Sequence, residues 1–271
     1  MIQGQDVLRD MLPDDFSKLL LDGGLEVLGS KNPIRAHLFA AAMREVVTWL
    51  LHENAPDAEL AAAAWFVKDG DRPTRRQRMT FAIQGGLSDE QVSALGVDAS
   101  EMHRRMTGEM AELNKRTHVK PGTLLSDEAA IKEFATDVVA AVAEFLEVVT
   151  DMREAIAEAV VHGASEQVFG SFLQESNDVI DLLSTHSLVE QVEVEAVRVL
   201  SIGAHEITYE AEGMVYVELN YGSGSDRARG EGVTMNDEYP FKCRMTGGVA
   251  DLKDIHAVFD MEVDASAFYE E

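Results

Sequence analysis

The sequence predicts an α+β protein, with a helical bundle over residues 1–187 followed by a small antiparallel sheet over 188–271. Three observations predict it. Apolar residues recur at helical spacing through the first two-thirds of the chain. Around Ser187 that period changes to two. Glycine, proline and Ser/Thr signals stand where one run should stop and the next begin.

In chain order, Asp14–Leu21 reads as a short amphipathic helix closed by Gly23-Gly24. Ile34, Leu38, Met43, Val46, Val47, Leu50 and Leu51 keep helical spacing through Asn54, and Pro56 ends the run. Thr74–Gln84 forms the next helix and stops at Gly85-Gly86. Ser88 caps a short helical turn. Ser100–Arg116 places Met102, Met106, Met110 and Leu113 on one stripe, and Pro121-Gly122 breaks it. The longest helix runs from Ser126 to His162, with shorter pieces over Ser165–Ser184. Beyond Ser187 the alternations Val192/Val194, Ile207/Tyr209, Val215–Tyr221, Tyr239–Met245 and Phe259–Val263 predict about five strands, with a break at Gly213. Residues 222–238 read as a long glycine-rich connection.

The chain carries 23 Lys+Arg against 49 Asp+Glu, a net charge of −26. Residues 31–120 alone hold 13 cations against 12 acids. The cations therefore gather where they can meet an anion, which points to a local anionic partner, or to an acidic surface of another subunit, rather than general adhesion to nucleic acid. One cysteine, Cys243, excludes an internal disulfide and a cysteine zinc site; its alternation with Phe241 and Met245 makes it a packing thiol. No apolar run reaches membrane-spanning length, and the N-terminus lacks a basic start and an apolar core. The expected location is the cytoplasm, with no membrane partner.

Four constellations carry possible chemistry. Arg75, Arg76 and Arg78, with Arg72 beside them, form the densest basic cluster; arginine forks suit phosphate, and the competing use is ion pairing with the chain's own acids. No Walker A or dinucleotide-binding glycine pattern accompanies them. Asn114 and His118 stand four apart and share a helix face, with Arg105 and Arg116 nearby. His37, Arg44 and Glu45, with His52 beyond, fit an ion-paired helix face better than a metal site. In the sheet, Glu218, Asp226 and Arg227, with Lys242, Asp251, Lys253 and Asp254, present acids without a Glu-x-Lys pair. No metal and no cofactor are expected.

The Asn114–His118 spacing resembles the tail of the Arg-Asn-x-x-x-His motif of HEPN ribonucleases, all-helical proteins that pair and act on an RNA phosphodiester. Leu113 stands where that motif has its arginine. Further phrases resemble a bacterial family of predicted PIWI-associated nucleases. They are Asn32-Pro33-x-Arg35, AAMREVVTWLL at 41–51, Ala55-Pro56-Asp57, TRRQRMTFAIQGGL at 74–87, Thr117-His118-Val119, VELNYGSGSD at 217–226 and Tyr239-Pro240-Phe241. The resemblance implies a HEPN-like helical module and an antiphage-defence nuclease acting on RNA or DNA. His118 and Asn114 would then be catalytic, and Arg75, Arg76, Arg78 and Arg105 would hold phosphates. The alternative is a non-catalytic adaptor subunit of a defence complex. Partners implied are a second copy of the chain or other defence subunits; the Met102–Met110 stripe reads as a helix contact for such pairing.

Overall fold

A computed structural model describes residues 1–68, 72–174, 178–222, 229 and 232–269. Helices come first and strands after, so the α+β class is the observed one. The helices are α1 (Gln5–Met11), α2 (Asp15–Gly29), α3 (Arg35–Asn54), α4 (Asp57–Ala62), α5 (Arg75–Gln84), α6 (Asp89–Ala94), α7 (Ser100–Thr117), α8 (Glu128–Gln174) and α9 (Asp178–Leu183). The strands are β1 (His186–Ile202), β2 (Glu206–Tyr221), β3 (Val233–Gly248) and β4 (Ile255–Val263). They form one antiparallel sheet in sequential order. Two compact units divide the chain, Met1–Met152 and Arg153–Glu271.

In the first unit the expected punctuation holds at several ends. Ser88 caps α6 and builds a capping box there, while Thr74, read as the first helical residue, stands one position earlier as the N-cap of α5 and builds a second box. Gly85 closes α5 at φ 55°, the left-handed region that glycine enters without penalty. Gly23-Gly24 instead lies inside α2. A Cβ on Gly24 would stand 3.0 Å from the Ala42 Cβ, so the glycine lets α2 approach α3 closely. The Asp14 carboxylate caps α2 by accepting from the Ser17 N–H (2.7 Å) and also accepts from the Trp49 indole N–H (2.9 Å).

The stripe Met102, Met106, Met110 and Leu113 is buried, and α7 packs against α3. It therefore serves as core and is not free for a second helix. His37, 2 % exposed, is also structural: its Nδ1 donates to Arg116 O (2.6 Å) and its Nε2 accepts from the Leu125 N–H (3.3 Å). It ties the end of α7 and the following loop to α3. Arg44 pairs with Glu45 at the surface (2.7 Å).

α8 continues to Gln174, past the expected stop at His162, because Val160, Ala164, Val168 and Phe172 extend its buried stripe. Within the second unit, Phe172 meets Phe241 of β3 edge-on at 5.7 Å between centroids. Among the described residues the sheet has four strands, since Gly213 does not break the chain. It keeps Ala211, Gly213 and Val215 on the buried face of a single β2. Opposite it, β1 shifts register between Val194 and Ala196, a bulge that brings the Glu193 carbonyl over the glycine. A Cβ on Gly213 would lie 1.9 Å from that oxygen. β3 begins at Val233, paired to Tyr221, so the 222–238 connection is shorter than the sequence reading. Cys243 is buried, and burial pushes its thiol up to about 12.

Candidate functional site

A cleft of about 1410 Å³ opens in the first unit between α5, α6 and α7. Its basic wall follows from the start of α5. Thr74 Oγ1 accepts from the Gln77 N–H (3.2 Å), and the Gln77 side-chain oxygen accepts from the Thr74 N–H (2.8 Å). This box fixes Arg75 and Arg76 as the first two residues of the helix, exposed at its positive end. Two cations there oppose the helix dipole by roughly 0.3–1 kcal/mol each. Among the described residues neither forms an ion pair or a side-chain hydrogen bond.

The facing wall is one side of α7. His103, Thr107, Ala111 and Asn114 recur at intervals of four, four and three and all line the cleft. They lie one residue round the helix from the buried Met102–Leu113 stripe, so His103 is half-buried. Its Nδ1 is enclosed with no hydrogen-bond partner among the described residues. Burial first, then the positive charge of Arg76, lowers the His103 pKa from its ordinary value, so the ring is neutral near pH 7. The cleft acids serve local structure. Asp98 accepts from the Ser100 N–H (2.9 Å) and hydroxyl (2.6 Å), bonds that lower its pKa, and Asp89 sits in the first turn of α6.

The residues singled out by sequence separate into two groups. Arg75, Arg76 and Asn114 line the cleft. Arg78 does not: it is 7 % exposed, and its guanidinium donates to Ala55 O (2.8 Å) and pairs with Asp57. Arg105 pairs with Glu144 (2.8 Å). Arg116 donates to Thr123 O (3.1 Å) and lies over the Phe134 ring. His118 is the exposed C-cap of α7 and does not line the cleft. In the sheet, Glu218 accepts from Asn220 (2.7 Å) and Lys242 pairs with Glu210 (2.9 Å). Asp226 and Arg227 lie outside the described residues. Among the described residues no three His, Cys, Asp or Glu side chains group closely enough to hold a metal ion. No described helix is long and apolar enough to cross a membrane.

His103 is the residue that motif reading misses. It belongs to no motif spacing, and its signal is only that His103, Thr107 and Asn114 share a face beside an apolar stripe.

Two family models match the chain, both described as "Predicted pPIWI-associating nuclease", one over residues 9–142 and the other over 149–269. The first spans the whole cleft. No curated protein and no solved structure matches.

Proposed function

The chain belongs to the predicted pPIWI-associating nuclease family, and from that premise we propose that the α5–α6–α7 cleft cleaves RNA by acid–base chemistry. The observation that carries the reading is the meeting of His103, half-buried and with a lowered pKa, with Arg76, which makes no ion pair among the described residues. A neutral imidazole is ready to accept a proton at pH 7. With Nδ1 enclosed, Nε2 is the nitrogen open to a ligand. Nε2 takes the proton of a ribose 2′-hydroxyl, and the freed oxygen attacks the adjacent phosphorus. The bond from phosphorus to the 5′ oxygen breaks, and that oxygen takes a proton from solvent. The products are a 2′,3′-cyclic phosphate and a 5′-hydroxyl. Arg75 and Arg76 carry the charge that builds on the non-bridging oxygens, and Asn114 orients the strand.

This assigns the general base to His103 in place of His118, whose exposed cap position gives no such environment. The family description supports a setting in which the protein works beside a pPIWI partner, and prokaryotic antiphage defence in the cytoplasm is the role that setting fits. The concentration of acids outside residues 31–120 favours one competing reading, a non-catalytic adaptor that docks a basic partner.

Product termini test the proposal. Purified protein and single-stranded RNA should yield 2′,3′-cyclic phosphate ends. His103→Gln should lower the rate about a hundredfold or more, while His118→Gln should leave it near wild type. Cleavage lost in His118→Gln and kept in His103→Gln would refute the assignment.

A further inference from the structure

The cleft contains one more feature that neither catalysis nor folding uses up. Trp65 lines it, half-buried, in the segment that precedes α5. Its indole N–H donates to Gly85 O (2.8 Å) at the C-terminal end of α5. Two residues on, Val67 O accepts from the Gln77 side chain (2.7 Å) in the first turn of the same helix. The segment is therefore tied at both ends along α5. The Phe81 ring supports the indole from within, centroids 6.4 Å apart and planes inclined by 43°. With its one polar atom committed to a backbone carbonyl, Trp65 has only its aromatic surface left to offer. That surface is held in a fixed orientation, in the same cleft as the arginines.

We propose that Trp65 is a stacking platform for an unpaired base, so that the cleft takes a single strand and rejects a duplex. Two kinds of group have been brought together here. Arginines suit the phosphate backbone, and a fixed aromatic face suits a base that has left its stack. A paired base has both faces covered by its neighbours and cannot reach the indole. Base stacking on an aromatic side chain tolerates any base, so the site selects strandedness over sequence. An indole that only filled the core would be enclosed on both faces and would not line a cleft beside cations. The inference deepens the proposed ribonuclease reading by naming the form of its substrate.

The test uses the full chain and a short 2′-O-methyl oligonucleotide, which binds but has no free 2′-hydroxyl to react. Tryptophan emission is followed in Trp49→Phe, which leaves Trp65 as the one reporter, since the chain has two tryptophans. The single strand should quench the emission, and the same strand annealed to its complement should not. Trp65→Leu should weaken single-strand binding about five- to hundred-fold, and Trp65→Phe should recover most of it. Far-UV circular dichroism checks that each variant is folded. Should Trp65→Leu fail to fold, the quenching contrast and the Trp65→Phe affinity still decide. Equal quenching by strand and duplex, or Trp65→Leu binding at wild-type affinity, overturns the inference. Strand-selective quenching in a protein that never cuts RNA would uphold the platform and sink the ribonuclease reading. Cleavage that needs His103 yet ignores Trp65 would do the reverse.

Discussion

Arg76 and Arg78 stand two residues apart in one basic cluster, and the structure gives them opposite work. Replacing Arg78 with alanine should cost stability. Its Nη1 is the donor to the buried Ala55 carbonyl, and an unsatisfied buried carbonyl costs about 1–3 kcal/mol. The side chain is 8 % exposed, and loss of its buried methylene stem removes about 2 kcal/mol more. The ion pair adds little, because the Asp57 side chain is 67 % exposed and water screens it. The expected loss is about 3–5 kcal/mol, a large part of the roughly 5–15 kcal/mol that holds an ordinary domain together. In urea the midpoint should fall by more than about 1 M, followed by far-UV circular dichroism. Arg76→Ala, exposed and without an ion pair among the described residues, should not destabilise the fold, since it removes a cation that opposes the helix dipole by roughly 0.3–1 kcal/mol, and should instead weaken binding of single-stranded RNA. An Arg78→Ala protein as stable as wild type but unable to bind RNA would refute this division.

Two other outcomes test the fold of each unit. Gly213→Ala should destabilise the protein by about 1–3 kcal/mol in thermal unfolding, because the added carbon meets backbone at 1.9 Å; an unchanged melting temperature would mean that β1 and β2 pair in another register. Asp14→Ala should cost about 0.5–2 kcal/mol at pH 7 through loss of the α2 cap. The Ser17 N–H first, then the Trp49 indole, holds the Asp14 carboxyl below its ordinary value of 3.8. Its contribution is thus complete above that pH and fades as pH falls through the lowered value, so the gap between wild type and variant should shrink in acid. A gap that widened instead would contradict the cap.

The α+β order was legible because the change from helical to two-residue period is a direct consequence of side-chain geometry. Caps were legible for the same local reason: Ser88 and Gly85 each act within a few residues of themselves. What the sequence hid was tertiary. Gly23-Gly24 looked like a helix stop and is a helix–helix approach; Gly213 looked like a break and is the seat of a bulge on the neighbouring strand. Both depend on a partner that is distant in sequence. Arg75, Arg76 and Arg78 read alike as residue types, and only burial separates the arginine that holds Ala55 from the two that face the cleft. His103 stayed hidden because its lowered pKa comes from enclosure and from Arg76, neither of which its neighbours in sequence reveal. The motif-like Asn114–His118 spacing lies at the end of α7, whereas the enclosed histidine lies near its start.

The central claim, that His103 is the base of a ribonuclease, is tested most directly by the pH dependence of kcat/KM for RNA cleavage. The account predicts a rate that rises with pH along an acid limb set by a group below the ordinary histidine value of 6.5. That limb should vanish in His103→Gln, along with most of the rate. An acid limb of unchanged position in the His103→Gln protein would place the base elsewhere and contradict the account.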